Sequence, residues 1–338
     1  MVEAQLSRGA LDPRVAEFLA ERARGSEAPE VIALSGDAST RRYFRLVRGG
    51  STSILALYAD AFVPQEMHFL AVGDLLADWG IPAPAVLAHD GPRGIVLQQD
   101  LGDRTLQEAL VSATPRERDG LYGEALEQLA LLQRASSAGR RSAACFHVAF
   151  DVEKQTRELH YFLKHFVEGH RGRDLSAEDR ATLAEAFHRL SEEIASWPRV
   201  LCHRDFHSRN LMLHGGTLYW IDFQDARMGP ATYDLASLLR DSYVDLPEDL
   251  VAEQAEAFRQ RALPGEARDV FERRFELVSV QRNLKALGTF GYMTSVRGTD
   301  VYRPYIPRTL ASARRNLARH PELRGLHRVL AHHIEELA

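Results

Sequence analysis

The chain has 338 residues, enough for two cores, and its 45% apolar and 26% charged residues are ordinary for a globular protein. A net charge of −5 excludes a global basic field for nucleic acid, and the two cysteines, Cys145 and Cys202, offer neither a disulfide framework nor a zinc spacing. No run approaches the roughly 18 apolar residues of a membrane span, and the charged N-terminal stretch lacks the apolar centre of a signal peptide; the expectation is a cytoplasmic monomer without nucleic-acid or membrane partners.

Residues 11–24 read as a short helix. "VIALSGDASTRRYFRLV" (31–47) reads as strand, turn and strand, and "STSILALYAD" (51–60) as a third strand after Gly49-Gly50. Pro64 opens a helix in which Phe69, Val72, Leu76 and Trp79 keep helical spacing up to Gly80. Two more strands flank Asp90-Gly91. Beyond "DLGDRTL" the pattern turns helical, over 105–112, 115–136, 152–170, 176–196, and from 232 onward over 248–262, 265–288 and 307–337. The expected fold class is α+β: a bilobal chain with a small antiparallel-sheet lobe (1–99) and a larger, mostly helical lobe (100–338).

Between the helices lies "LCHRDFHSRNLMLHGGTLYWIDFQDA" (201–226), an unusually polar stretch among strand-like runs. "RVLCH" is a short strand that delivers His203-Arg204-Asp205 into a loop. "NLMLH" and "TLYWIDF" form a hairpin around Gly215-Gly216. The hairpin brings Asn210, at the start of one strand, toward Asp222, at the end of the other, with Asp205 on the preceding loop. An amide oxygen and a carboxylate that converge suit Mg²⁺, and a separate carboxylate can orient and deprotonate an incoming hydroxyl, which is the division of labour in phosphoryl transfer from ATP. His-Arg-Asp, four residues, Asn, and a later Asp-Phe match the kinase signature. His203 is read as a brace for the loop and Asp234 as a tie from the next helix. Asp225 is read as a helix cap or a metal support.

These residues resemble the aminoglycoside phosphotransferase family, small-molecule kinases with a protein-kinase-like fold. Gln224 after Asp222-Phe223, no Ala-Pro-Glu, and a helix in place of a long activation loop separate the chain from protein kinases. "SGDASTRRYFRL", "DLGDRTL", "HSRNLM", "DFQDA" and "VQRNLKALGTFGY" are similar to the branch of anomeric N-acetylmuramate/N-acetylglucosamine 1-kinases of cell-wall recycling. The resemblance implies transfer of the ATP γ-phosphate to the C1 hydroxyl of an N-acetylated amino sugar. By that resemblance Asp205 is the catalytic base, and Asn210 and Asp222 are the Mg²⁺ ligands. Ser35, Gly36, Asp37, Ala38 and Ser39 form the turn over the nucleotide, and backbone near Gln99 and Leu101 meets adenine.

One departure stands out. The kinase pattern wants a lysine on the third strand paired with a helix glutamate, yet lysine occurs in this chain only at 154, 164 and 285. "ILALYAD" has none, so Glu66 lacks that partner; either Arg41, Arg42 or Arg45 neutralises phosphate, with Arg41 or Arg42 favoured by their place right after the turn, or the donor is held mainly through Mg²⁺. For the acceptor, His207, Arg209, Arg240 and Asn283 are the candidates, with Asp241 and Lys285 on helices beside them. Two alternatives stay open: a kinase of another small alcohol (an aminoglycoside, choline or homoserine), and a non-catalytic nucleotide-binding pseudokinase.

Overall fold

The computed structural model describes residues 11–23, 27–34, 41–138 and 142–338. Helix α1 (Pro13–Arg22) is capped by Asp12 and precedes a five-stranded antiparallel sheet. Its strands are β1 (Glu30–Leu34), β2 (Arg42–Arg48) and β3 (Ser51–Leu57), followed, after helix α2 (His68–Asp78), by β4 (Val86–Asp90) and β5 (Ile95–Gln99), in the order β1-β2-β3-β5-β4. Strand period decides what each face does. Phe44 and Leu46 of β2 pack with Leu55, Leu57 and Ile95 against Val15 and Phe18 of α1. The other face, with Tyr43, Arg45, Ile54 and Ala56, is turned to a cleft.

The second lobe opens with α3 (Leu106–Val111), started by a Thr105/Glu108 capping box, and α4 (Pro115–Ala138). Helix α5 (Val152–Phe162) runs on as a π-helical segment, Leu163–His170, before α6 (Ala177–Ser196). Then come β6 (Arg199–Cys202), the hairpin β7 (Leu211–His214) and β8 (Thr217–Trp220), and β9 (Arg227–Pro230). Five helices follow among the described residues: α7 (Thr232–Leu239), α8 (Glu248–Ala262), α9 (Arg268–Ser295), α10 (Ile306–Arg319) and α11 (Arg324–His333). None is long and apolar enough to cross a membrane.

Three element expectations change. The stretch after Asp222 does not enter a helix directly: residues 223–225 make one 3₁₀ turn, β9 pairs antiparallel with β6 (Leu201↔Met228), and the helix begins only at Thr232. The ladder, not the composition of Arg-Met-Gly-Pro, makes β9 a strand. The helix expected over 152–170 loses α-geometry in its last eight residues. The one expected over 307–337 is broken where Pro321 follows His320, since proline cannot donate to the helical ladder.

Candidate active site

The 203–210 loop is pinned from below. Asp234 at the start of α7 accepts the backbone N–H of His203 (2.6 Å) and of Arg204 (2.9 Å), as the sequence suggested. His203 is buried; its Nε2–H donates to the Ile221 carbonyl (2.9 Å), and its Nδ1 accepts the Asp205 N–H (3.3 Å). It braces the loop. Arg204 holds φ at 87°, a left-handed conformation costing a bulky residue about 1–3 kcal/mol. Both of its peptide groups are fixed: the N–H by Asp234 and the carbonyl by Arg282 Nη1 of α9 (2.6 Å).

This arrangement sends the Asp205 side chain into the cleft, where Lys285 Nζ of α9 donates to Oδ1 at 2.8 Å. Arg204 Nε lies 3.7 Å from Oδ2 and Arg282 Nη2 3.9 Å from Oδ1. Burial would lift this carboxyl, but Lys285, Arg204 and Arg282 together hold it well below the usual carboxylate range. Burial in turn pushes the Lys285 ammonium below the ordinary lysine value, opposed by Asp205.

Gly215 and Gly216, at φ 59° and 86°, make the hairpin turn that only glycine adopts without strain, and β7 and β8 pair as Leu211↔Trp220. Asn210 and Asp222 therefore sit side by side at the open end, where the Ile221 N–H donates to the Asn210 carbonyl (3.0 Å). Asn210 Nδ2 donates to the Asp205 carbonyl (2.8 Å), leaving the amide oxygen as the group offered to the cleft. Asp222 is also left-handed (φ 62°), and its Oδ1 accepts from Gln224 Nε2 (2.8 Å) and Arg41 Nη2 (3.2 Å).

Two cavities meet here. One, of about 350 Å³, lies under the sheet and is lined by Tyr43, Ala56, Tyr58, Gln99 and Leu101 among others. The second, of about 920 Å³, lies between the loop and α9 and is lined by Asp205, His207, Arg209, Asn283 and Lys285 among others. Arg41, Asn210, Ile221, Asp222 and Gln224 belong to both walls, whereas Asp205 faces only the second.

Of the three arginines weighed against the missing lysine, Arg41 reaches the junction, lying over the Tyr43 and Tyr58 rings, while Ala56 of β3 leaves the space beside it open. Arg42 does not: strand alternation turns it to the opposite face, where it pairs with Asp12 of the α1 cap. Arg45 faces the cavity but is engaged by Asp100 (2.7 Å) and Asp103 (2.8 Å) beyond β5. Ser35, Gly36, Asp37, Ala38 and Ser39 lie outside the described residues; Leu34, just before them, lines the smaller cavity. Gln99 Oε1 accepts the Ala85 N–H (3.3 Å), and the Leu101 carbonyl meets His214 Nδ1 at 3.1 Å.

The acceptor candidates divide. His207 faces the larger cavity with a buried, unpartnered Nδ1; burial pushes its pKa down to about 3, so the ring is neutral near pH 7. Arg209 lies over the Tyr243 ring at 4.9 Å and near that of Tyr302. Asn283 is buried with an unpartnered Oδ1. Arg240 lines the larger cavity, and its guanidinium forks onto Glu248 of α8 (3.0 Å to Oε2). Asp225 caps no helix; it pairs with Arg204 (2.6 Å). Sequence reasoning missed Arg282 and the Lys285–Asp205 pair, because neither is near the loop in the chain. The one available signal was Lys285 as one of only three lysines in an arginine-rich chain.

Residues 30–271 match the phosphotransferase enzyme family. A relative named N-acetylmuramate/N-acetylglucosamine kinase from Neisseria meningitidis is 36% identical over 302 residues, 88% of each chain. One of the same name from Pseudomonas aeruginosa is 35% identical over 330 residues, 95% of this chain and 94% of its own. Among solved structures, a choline/ethanolamine kinase family protein from Mesorhizobium loti superposes with a TM-score of 0.59 at 17% identity, covering 96% of this chain and 99% of its own. An aminoglycoside phosphotransferase with ADP bound gives 0.61 at 16% identity, covering 89% and 98%. The fold is thus the bilobal, protein-kinase-like one, and the chain belongs to the phosphotransferase enzyme family.

Proposed function

We propose that the protein transfers the γ-phosphoryl group of ATP to the C1 hydroxyl of N-acetylmuramate or N-acetylglucosamine, as a cytoplasmic monomer serving peptidoglycan recycling. The observation that carries this reading is the paired cavity. Asp205 opens only onto the larger chamber, while Asn210 and Asp222 stand in the wall between the two. The nucleotide fits the sheet-side chamber of the lobe formed by residues 1–99, with the hinge at Gln99–Leu101 beside the adenine. The sugar fits the larger chamber, in the lobe formed by residues 100–338.

In the reaction the acceptor oxygen bonds to the γ-phosphorus, the bond from that phosphorus to the bridging oxygen breaks, ADP departs, and the hydroxyl proton passes to Asp205. Asn210 and Asp222 fit Mg²⁺: one amide oxygen and one carboxylate are hard donors, and substrate phosphates and water complete such sites. When bound, the ion neutralises charge on the phosphates. Among the described residues no cluster of three histidine, cysteine or acidic side chains offers an all-protein metal cage, which accords with a substrate-completed site. Arg41 stands where it can grip a phosphate oxygen bidentately in place of the absent lysine.

The larger wall carries more cations (Arg41, Arg204, Arg209, Arg240, Arg282 and Lys285) than carboxylates (Asp205, Asp222, Asp225 and Asp241). That balance favours a neutral or anionic acceptor over a polycationic aminoglycoside or a quaternary ammonium. The test is ADP release from Mg-ATP with N-acetylmuramate, N-acetylglucosamine, an aminoglycoside and choline. Turnover with the two sugars is expected. Turnover with aminoglycoside or choline alone rejects the sugar reading, and none at all favours the pseudokinase.

A further inference from the structure

Asp205 presents an apparent contradiction. A carboxylate meant to take a proton is paired with a lysine that makes it a weaker base. Lys285 comes from α9, eighty residues further along the chain, and is itself partly buried in the same cavity wall. A loose phosphoryl-transfer transition state demands little base strength, since the proton leaves late; what it demands is an ionised, correctly aimed oxygen.

We propose that Lys285 is a positioning residue for the reaction, holding Oδ1 of Asp205 so that Oδ2 alone faces the acceptor hydroxyl. The geometry supports this division. Oδ1 accepts the ammonium at 2.8 Å, whereas Arg204 Nε stands 3.7 Å from Oδ2, beyond hydrogen-bond reach. A free carboxylate would rotate about its last bond and offer either oxygen in many directions; a clamped one loses that freedom before the substrate arrives. Lys285 keeps its proton throughout: the hydroxyl proton goes to Oδ2, the phosphoryl group to the acceptor oxygen, and the electron pair of the broken bond to ADP. The loop brace of Asp234 and Arg282 fixes where the Asp205 backbone sits, and Lys285 fixes how its side chain is turned.

This role rests on the sugar-kinase reading, and a double-mutant cycle separates the two. Kinetics with Mg-ATP and N-acetylglucosamine are compared for wild type, K285M, D205N and the double variant. If Lys285 acts through Asp205, K285M lowers kcat by about 10²-fold with both KM values within about threefold, K285R recovers at least a tenth of the wild-type kcat, and K285M costs nothing further in the D205N background. Added propylamine should restore part of the kcat of K285A. Multiplicative losses in the double variant, or a K285M defect confined to the sugar KM, would overturn the proposal. So would a K285M loss that neither K285R nor the amine repairs. A wild-type protein that turns over neither sugar removes the functional reading itself, and with it the reaction for which the lysine would position anything.

Discussion

Asp205 lies against an ammonium at 2.8 Å with two guanidiniums just beyond, which sets the sign of its pH behaviour. Its folded pKa is well below the ordinary value, so its stabilisation is complete above pH about 4 and is lost only as the pH falls through that lower folded value. Replacing it by asparagine leaves the partly buried Lys285 without a counter-charge, at a cost of about 2 kcal/mol. The expected result is a gap in urea midpoint between wild type and Asp205→Asn that is constant from pH 5 to 8 and narrows only below about pH 4. Turnover should drop about 10³-fold or more with loss of the proposed base, while calorimetry still detects Mg-ATP binding. A midpoint gap that closes between pH 6 and 5 would show that some other group carries the effect. The two neighbouring arginines give a paired control. Arg41→Ala should raise the KM for ATP about tenfold, the worth of one charge-assisted hydrogen bond. Arg42→Ala should leave it within about twofold, because that side chain serves the α1 cap instead.

At the scale of elements, α9 shapes the proposed acceptor chamber by presenting two faces. Arg282, Lys285, Ala286 and Thr289 look into the cavity, while Gly288 and Gly291 lie against α5 and its π-helical extension. A Cβ on Gly291 would stand 2.3 Å from the backbone oxygen of His165, so the helices approach at a distance that admits no side chain. Gly291→Ala should push α9 outward and destabilise the fold by about 1–3 kcal/mol. Turnover should fall at least tenfold with the KM for ATP unchanged, since α9 lines only the acceptor side; melting curves and steady-state kinetics check both. Unchanged melting and turnover would mean the contact yields freely. Such close packing explains what the sequence could and could not disclose. The hairpin, the loop brace and the Asn210–Asp222 convergence follow from local signals: a double glycine, short apolar runs and fixed spacings. The orientation of Arg42 followed from the same period-2 rule once the strand's start was known. β9 and the Lys285–Asp205 pair carry no local mark, because each exists only through a partner element distant in the chain. The π-helical stretch has the composition of an ordinary helix, and nothing in its residues explains the change of geometry.

Across the whole molecule the lobes are joined by more than the strand-to-helix connection. Phe69 of α2 stacks on Phe223 with ring centroids 4.9 Å apart, and Phe69, Leu70, Val72 and Leu76 belong to the large helical core, not to the sheet–α1 core. The Trp220 N–H donates to the Pro82 carbonyl (2.8 Å), and Arg41 reaches across to Asp222. A helix that sits in the sheet lobe by sequence is thus packed into the other lobe by contact, beside the residue that follows Asp222. The two lobes should therefore unfold together, with tryptophan fluorescence and far-ultraviolet circular dichroism giving coincident urea transitions in the wild type. Phe69→Ala removes the stacked ring from both partners at a cost of about 3–5 kcal/mol. With that link cut, the sheet lobe no longer shares the large core's cooperativity, so the two probes should separate into distinct transitions and the KM for ATP should rise, since Phe69 also lines the nucleotide-side cavity. Transitions that stay coincident at the wild-type midpoint would show that the remaining contacts of α2 suffice to couple the lobes without the stacked pair.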